Sequence, residues 1–177
     1  MKRTRLMVFL VLGLAGTAFG EEPDQALVTY AATVGDRQIS GASRSLHWSA
    51  TQLTGDGAQV RLRVPIDSFD SGHAELDSLI RSVLQSDRYP FIEVEGEVRS
   101  GWLEGTITMH GVSRPLGVRI GIERSGTQLL ASTSFAIDLD QFGVSAPSVG
   151  NRVAVDFVAR LSAHPRAVIA GGALNSN

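Results

Sequence analysis

The chain has 177 residues and no cysteine, with 16 Lys+Arg against 18 Asp+Glu and a formal net charge of −2. The missing cysteines exclude disulfides, a thiol nucleophile and a lipidated N-terminal cysteine, and a balance this close to neutral argues against a nucleic-acid partner. A chain of this length suits one domain with its own hydrophobic core.

The first twenty residues read separately from the rest. Lys2, Arg3 and Arg5 precede an apolar run from Leu6 to Leu14, and Ala18-Phe19-Gly20 forms a small-x-small cleavage site before Glu21. The run is too short to span a bilayer, so residues 1–20 read as a cleaved signal peptide. The mature protein then starts at Glu21 as an exported, periplasmic protein with no integral membrane span. Cleavage removes three of the 16 basic residues, leaving 13 basic and 18 acidic groups and a net charge of −5. Residues 21–162 read as one domain, and 163–177, small and polar, as a flexible tail.

From Ala26 to Val34 the residues are β-prone, and Gly35-Asp36 supplies a turn. A weakly patterned strand region follows from Gln38 to about Leu53, in which Gly41 predicts a bulge or a break. Thr54-Gly55-Asp56-Gly57 is a turn signal. Beyond it Val60, Leu62, Val64 and Ile66 alternate with Arg61 and Arg63, as in a half-buried antiparallel strand whose arginines face water.

Helical spacing takes over between Ser68 and Pro90. Leu76, Leu79, Ile80, Val83 and Leu84 form one apolar stripe, Ser71 or Gly72 is placed to cap the helix, Glu75 sits in its first turn, and Pro90 closes it. A single amphipathic helix among strands predicts a lid or plug across a sheet or a barrel end.

Alternation then returns. Ile92, Val94 and Val98 oppose Glu93, Glu95 and Glu97; Leu103, Ile107 and Met109 share one face; and a single run carries Leu116, Val118, Ile120 and Ile122. After a hairpin at Ser125-Gly126 come strands around Phe135 and around Val155. About eight strands at short spacing predict an all-β barrel or sandwich.

Three segments share a further property. Ser71, Gly72, His73 and Asp77 followed by Tyr89-Pro90, then GTITMHGVSRPL at 105–116, then FAIDLDQFGV at 135–144, resemble in order and spacing the signatures of the YceI family of secreted lipid-binding barrels, over roughly residues 60–161. Leu76 stands where that family usually has arginine. The resemblance implies an antiparallel eight-stranded lipocalin-like β-barrel with one helix between strands. It also implies a non-enzymatic binding or carrier protein for polyisoprenoids or similar amphiphiles such as quinones, without a cofactor, some members being linked to stress responses.

The residues themselves offer no catalytic constellation: no Gly-x-Ser-x-Gly elbow, no phosphate loop and no pair of histidines at i, i+4. His73 and Asp77 lie one turn apart but lack a third metal ligand, so both are expected to be structural, tying the helix start to neighbouring strands. The candidate ligand-binding residues are Leu62, Val64, Ile107, Met109, Val118 and Phe135, an uncharged inward set that would accept an apolar chain while a polar head stays near the mouth. An eight-stranded barrel can also be filled by its own side chains. Alternation alone leaves open a filled barrel acting as an interaction or structural module of the periplasm.

Overall fold

The computed structural model describes residues 25–52, 57–126, 128–145 and 149–162; the signal-peptide, Thr54–Asp56 turn and tail assignments lie outside them. Among these residues ten strands form two five-stranded antiparallel sheets, accompanied by one α-helix. One sheet has the order β2 (Arg37–Ser43), β1 (Gln25–Val34), β10 (Arg152–Ser162), β9 (Gln128–Asp138) and β8 (Gly121–Ser125). The other runs β3 (His47–Gln52), β4 (Ala58–Pro65), β5 (Phe91–Arg99), β6 (Trp102–Met109) and β7 (Val112–Arg119).

These ten pieces are eight continuous runs. β2 passes into β3 through residues 44–46 and β7 into β8 through Ile120 alone, and each junction carries the chain from one sheet to the other. Two bent strands thus form the corners of an eight-stranded lipocalin-like barrel. The run from Leu116 to Ile122, read as one strand, is therefore two. The Ile120 N–H donates to the Gly101 carbonyl at 2.8 Å, after which the chain leaves β6 and pairs with β9. Alternation survives such a corner, which is why periodicity does not reveal it.

Gly41 does not break β2. The strand runs through it to Ser43, with Gly41 directly opposite Tyr30 on β1. A Cβ there would lie 2.3 Å from the Tyr30 hydroxyl, so the glycine makes room for the phenol ring. The break comes at the corner, where backbone N–H and C=O groups of Ala42 and Asp70 exchange two 2.9 Å hydrogen bonds.

The outer face of β4 and β5 is solvated, as the alternation implies. Arg61 faces Glu95 at 3.4 Å and Arg63 faces Glu93 at 2.6 Å, both pairs exposed and in direct register. Such pairs contribute little stability.

Helix α1 (Ala74–Leu84) is inserted between β4 and β5, which nevertheless pair along their length, so it folds back over one end of the barrel. Leu84 is buried, and Ile80 and Val83 pack on the same core as Val64, Ile66, Phe69 and Met109. Leu76 is half-buried, off that core. The helix ends at Gln85 in left-handed conformation, its N–H turned back on the last carbonyls. The 3₁₀ turn at Leu139–Phe142 covers the same end, with Leu139 and Phe142 buried. His110 and Gly111 make the adjoining hairpin with positive φ, and Tyr89 packs where any Gly111 side chain would stand.

Candidate functional site: an apolar cavity inside the barrel

The inner faces of both sheets enclose a cavity of about 330 Å³, near the lower end of the size range of small-molecule sites. It reaches from α1, which contributes Leu79, Ile80, Val83 and Leu84, to Ile120 at the β7–β8 corner and Ile122 beyond it. Among the described residues no charged side chain is on its wall; Tyr30, Trp48 and Thr133 are the polar lining residues, and the surface facing the space is apolar throughout. Thr133 is satisfied, its hydroxyl donating to the Arg119 carbonyl at 2.9 Å.

Leu62, Val64, Ile107, Met109, Val118 and Phe135 all stand on this wall. Val64, Ile107 and Met109 are buried in the packed core near α1, and Val118 is buried on β7. Leu62 and Phe135 point inward yet are only half-buried, because the cavity lies against them. The same holds for Val94, Leu116 and Phe157. A filled core would bury them all. Leu129, inward by alternation, is off the wall near the β8–β9 turn.

Of the aromatic residues, Phe135 and Phe157 line the cavity and Phe142 is packed in the core, but Trp102 is 50% exposed and Phe91 lies under the Arg63 guanidinium, 4.3 Å from ring centre to Cζ. Ile122 is both a wall residue and 57% exposed, which places it at the rim.

Sequence reasoning missed Tyr30. Its ring sits edge-on to Phe69, centroids 5.2 Å apart, and forms part of the wall. Its hydroxyl oxygen is buried and, among the described residues, has no hydrogen-bond partner. Burial pushes the phenol up to about 12, helped by the nearby carboxylates of Asp77 and Asp70. The available signal was the Tyr-Gly cross-strand pair, invisible until the register of β1 and β2 is known.

His73 and Asp77 are local braces of the helix start rather than ties to strands. The Ser71 hydroxyl and N–H donate to Asp77 Oδ1 at 2.7 and 2.9 Å, and His73 Nδ1 lies 3.1 Å from the Ser71 carbonyl. Neither Ser71 nor Gly72 caps the helix; His73 takes that position, without a side-chain cap. Strand attachment falls to the backbone of Asp70. Among the described residues no group of three or more His, Asp or Glu is placed to hold a metal ion.

The Ser71 hydroxyl, chiefly, holds the Asp77 carboxyl below the ordinary range against the opposing effect of burial, with further help from the Ser71 N–H, Arg81 and His73. A carboxyl lowered on folding stabilises above its unfolded value and ceases to do so as pH falls through its folded value. Asp77→Asn is therefore expected to lower the thermal midpoint at pH 7, and the gap to the unmodified protein should narrow by pH 3. A gap of constant size across that range would show that the Asp77 charge is not what braces the helix start.

A family model for the YceI-like domain matches residues 24–161. No curated protein matches the chain. Among solved structures, Burkholderia cenocepacia BcnA is similar with a TM-score of 0.70 and 14% identity, covering 77% of this chain and 96% of its own. A polyisoprenoid binding domain from Saccharophagus degradans, implicated in plant cell wall breakdown, gives 0.65 and 15%, covering 80% and 98%. The Campylobacter jejuni YceI protein gives 0.58 and 11%, covering 92% and 98%. At such identities the likeness is one of fold.

Proposed function

This chain belongs to the YceI-like domain family, and on that premise we propose that it is a non-enzymatic periplasmic binding or carrier protein for a polyisoprenoid or similar amphiphile. The observation that carries the reading is the cavity of about 330 Å³ whose wall, among the described residues, holds no charged side chain. Burying an alkyl chain there gains roughly 25 cal/mol per Å² of apolar surface, whereas an unpaired charge would cost several kcal/mol. Leu62, Val64, Ile107, Met109, Val118 and Phe135 are the ligand contacts in this proposal. The similar Saccharophagus degradans fold is a polyisoprenoid binding domain, which supports the same broad ligand class; we extend the proposal to quinone-like lipids.

Export is part of the proposal. Residues 1–20 act as a signal peptide, and no described helix is long and apolar enough to cross a membrane. A periplasmic carrier would take its ligand from a membrane and hold it, a role compatible with a link to stress responses.

Native mass spectrometry of protein purified from membrane-containing cells of its own source is the direct test. The expected spectrum shows the mature chain from Glu21 with one lipid-sized adduct that dissociates on activation. Protein recovered without any adduct, and unable to acquire one from isoprenoid-loaded vesicles, would favour the filled-barrel interaction module instead.

A further inference from the structure

Of the two hydroxyl-bearing residues that line the cavity, Tyr30 is the one whose oxygen, among the described residues, is buried and unpartnered. Buried polar groups are nearly always satisfied, because leaving one unpaired costs more than the bond is worth. Tyr30 is not there for want of an alternative. Phenylalanine would make the same edge-on contact with Phe69 and fit the same space over Gly41 without the cost.

We propose that Tyr30 is a specificity-determining residue of the cavity, donating a hydrogen bond to an uncharged acceptor oxygen of the ligand, such as a ketone, quinone or ester carbonyl, at the helix-covered end of the barrel. The inference rests on the cavity being a ligand site and adds which head group it takes and where the head lies. Tyr30 belongs to the cross-strand row of Val155 and Phe135, four residues along the strands from the row of Ala131 beside Ile122 at the rim. That is roughly 13 Å of strand. The oxygen therefore sits deep, under α1, and the hydrocarbon runs towards Ile122, the reverse of a head held at the mouth.

The hydroxyl packs against Gly41 and is not exposed to the cavity, while the ring forms part of the wall, so the proposed bond requires the phenol to turn off Gly41 when the ligand enters. Charge decides the class of head. Asp70 and Asp77 lie close enough to the phenol to disfavour its anion, and among the described residues no arginine or histidine lines the wall. A phosphate or carboxylate head would meet that negative field without a compensating cation. The phenol stays protonated at any working pH and is available as a donor.

The test compares three ligands built on one C15 isoprenoid chain, ending in a methyl ketone, in a phosphate or in plain hydrocarbon, each competed against diphenylhexatriene fluorescence. The unmodified protein should bind the ketone roughly three- to tenfold more tightly than the hydrocarbon, the range expected for one neutral hydrogen bond, and the phosphate most weakly. Tyr30→Phe should bring the ketone down to the hydrocarbon value and leave the hydrocarbon unchanged. Ketone and hydrocarbon binding alike in the unmodified protein, an equal loss of both in Tyr30→Phe, or phosphate matching ketone would each overturn the assignment while leaving the cavity reading intact. If none of the three displaced the dye, the cavity reading would fall and take this assignment with it.

Discussion

Gly105→Val is expected to destabilise the barrel by about 3 kcal/mol or more, in the range of severe overpacking. Gly105 on β6 pairs directly with Gly96 on β5. A Cβ on Gly105 would lie 2.0 Å from the Glu95 carbonyl oxygen and 2.5 Å from the Gly96 Cα, and one on Gly96 would lie 2.5 Å from the Glu104 carbonyl. These obstacles are backbone, so no side chain can swing aside and the ladder itself must open. Ordinarily, removing a strand glycine would help by limiting the unfolded chain, by about 0.4–1 kcal/mol. Here the collision outweighs that gain. Gly117 on β7 is the control, since nothing lies within 4 Å of its Cβ position and its φ is ordinary; Gly117→Ala should be neutral or slightly stabilising. Equal urea midpoints for the two variants would show that β5 and β6 do not approach so closely.

The same glycine pair bears on function. Val94 and Val98 on β5, with Leu103 and Ile107 on β6, line the cavity, so alternation puts Gly96 and Gly105 on the inward face between them. Two adjoining inward positions without side chains allow a tight bend in the sheet there.

The strands and the helix were legible because period-2 and period-3.6 patterns are imposed by burial on one face, and Arg61, Arg63 and the three glutamates of β5 mark the solvated side without ambiguity. The corners were not, since Ile120 keeps the alternation while changing sheets. Nor was the helix brace, because Ser71, Gly72, His73 and Asp77 satisfy one another rather than the strands. All six candidate wall residues could be named from alternation, but whether they meet one another or surround a space depends on barrel curvature, which no single strand encodes. Tyr30 stayed hidden for a related reason. In sequence it is one more aromatic residue in a β-prone run, and only its register with Gly41 shows a hydroxyl packed without a partner.

Affinity for isoprenoid ketones of increasing length is expected to rise with each added unit and then level off, and Leu62→Trp should bring the plateau to a shorter chain. Each buried methylene contributes at most about 0.8 kcal/mol, less the cost of ordering the chain, so gains should be large while the tail is still entering the cavity and vanish once it projects past Ile122. Leu62 is the position to change because it is half-buried and its remaining surface faces the space, whereas Val118 is already packed and a large ring there would strain the fold. The tryptophan should leave short tails bound with nearly unchanged affinity while long ones lose whatever the lost volume had contributed. A tail held on the outer surface would gain affinity without limit of length and would ignore the substitution at Leu62. Saturable binding whose length limit shifts in Leu62→Trp, with an unchanged urea midpoint, can come only from a chain lying inside the barrel.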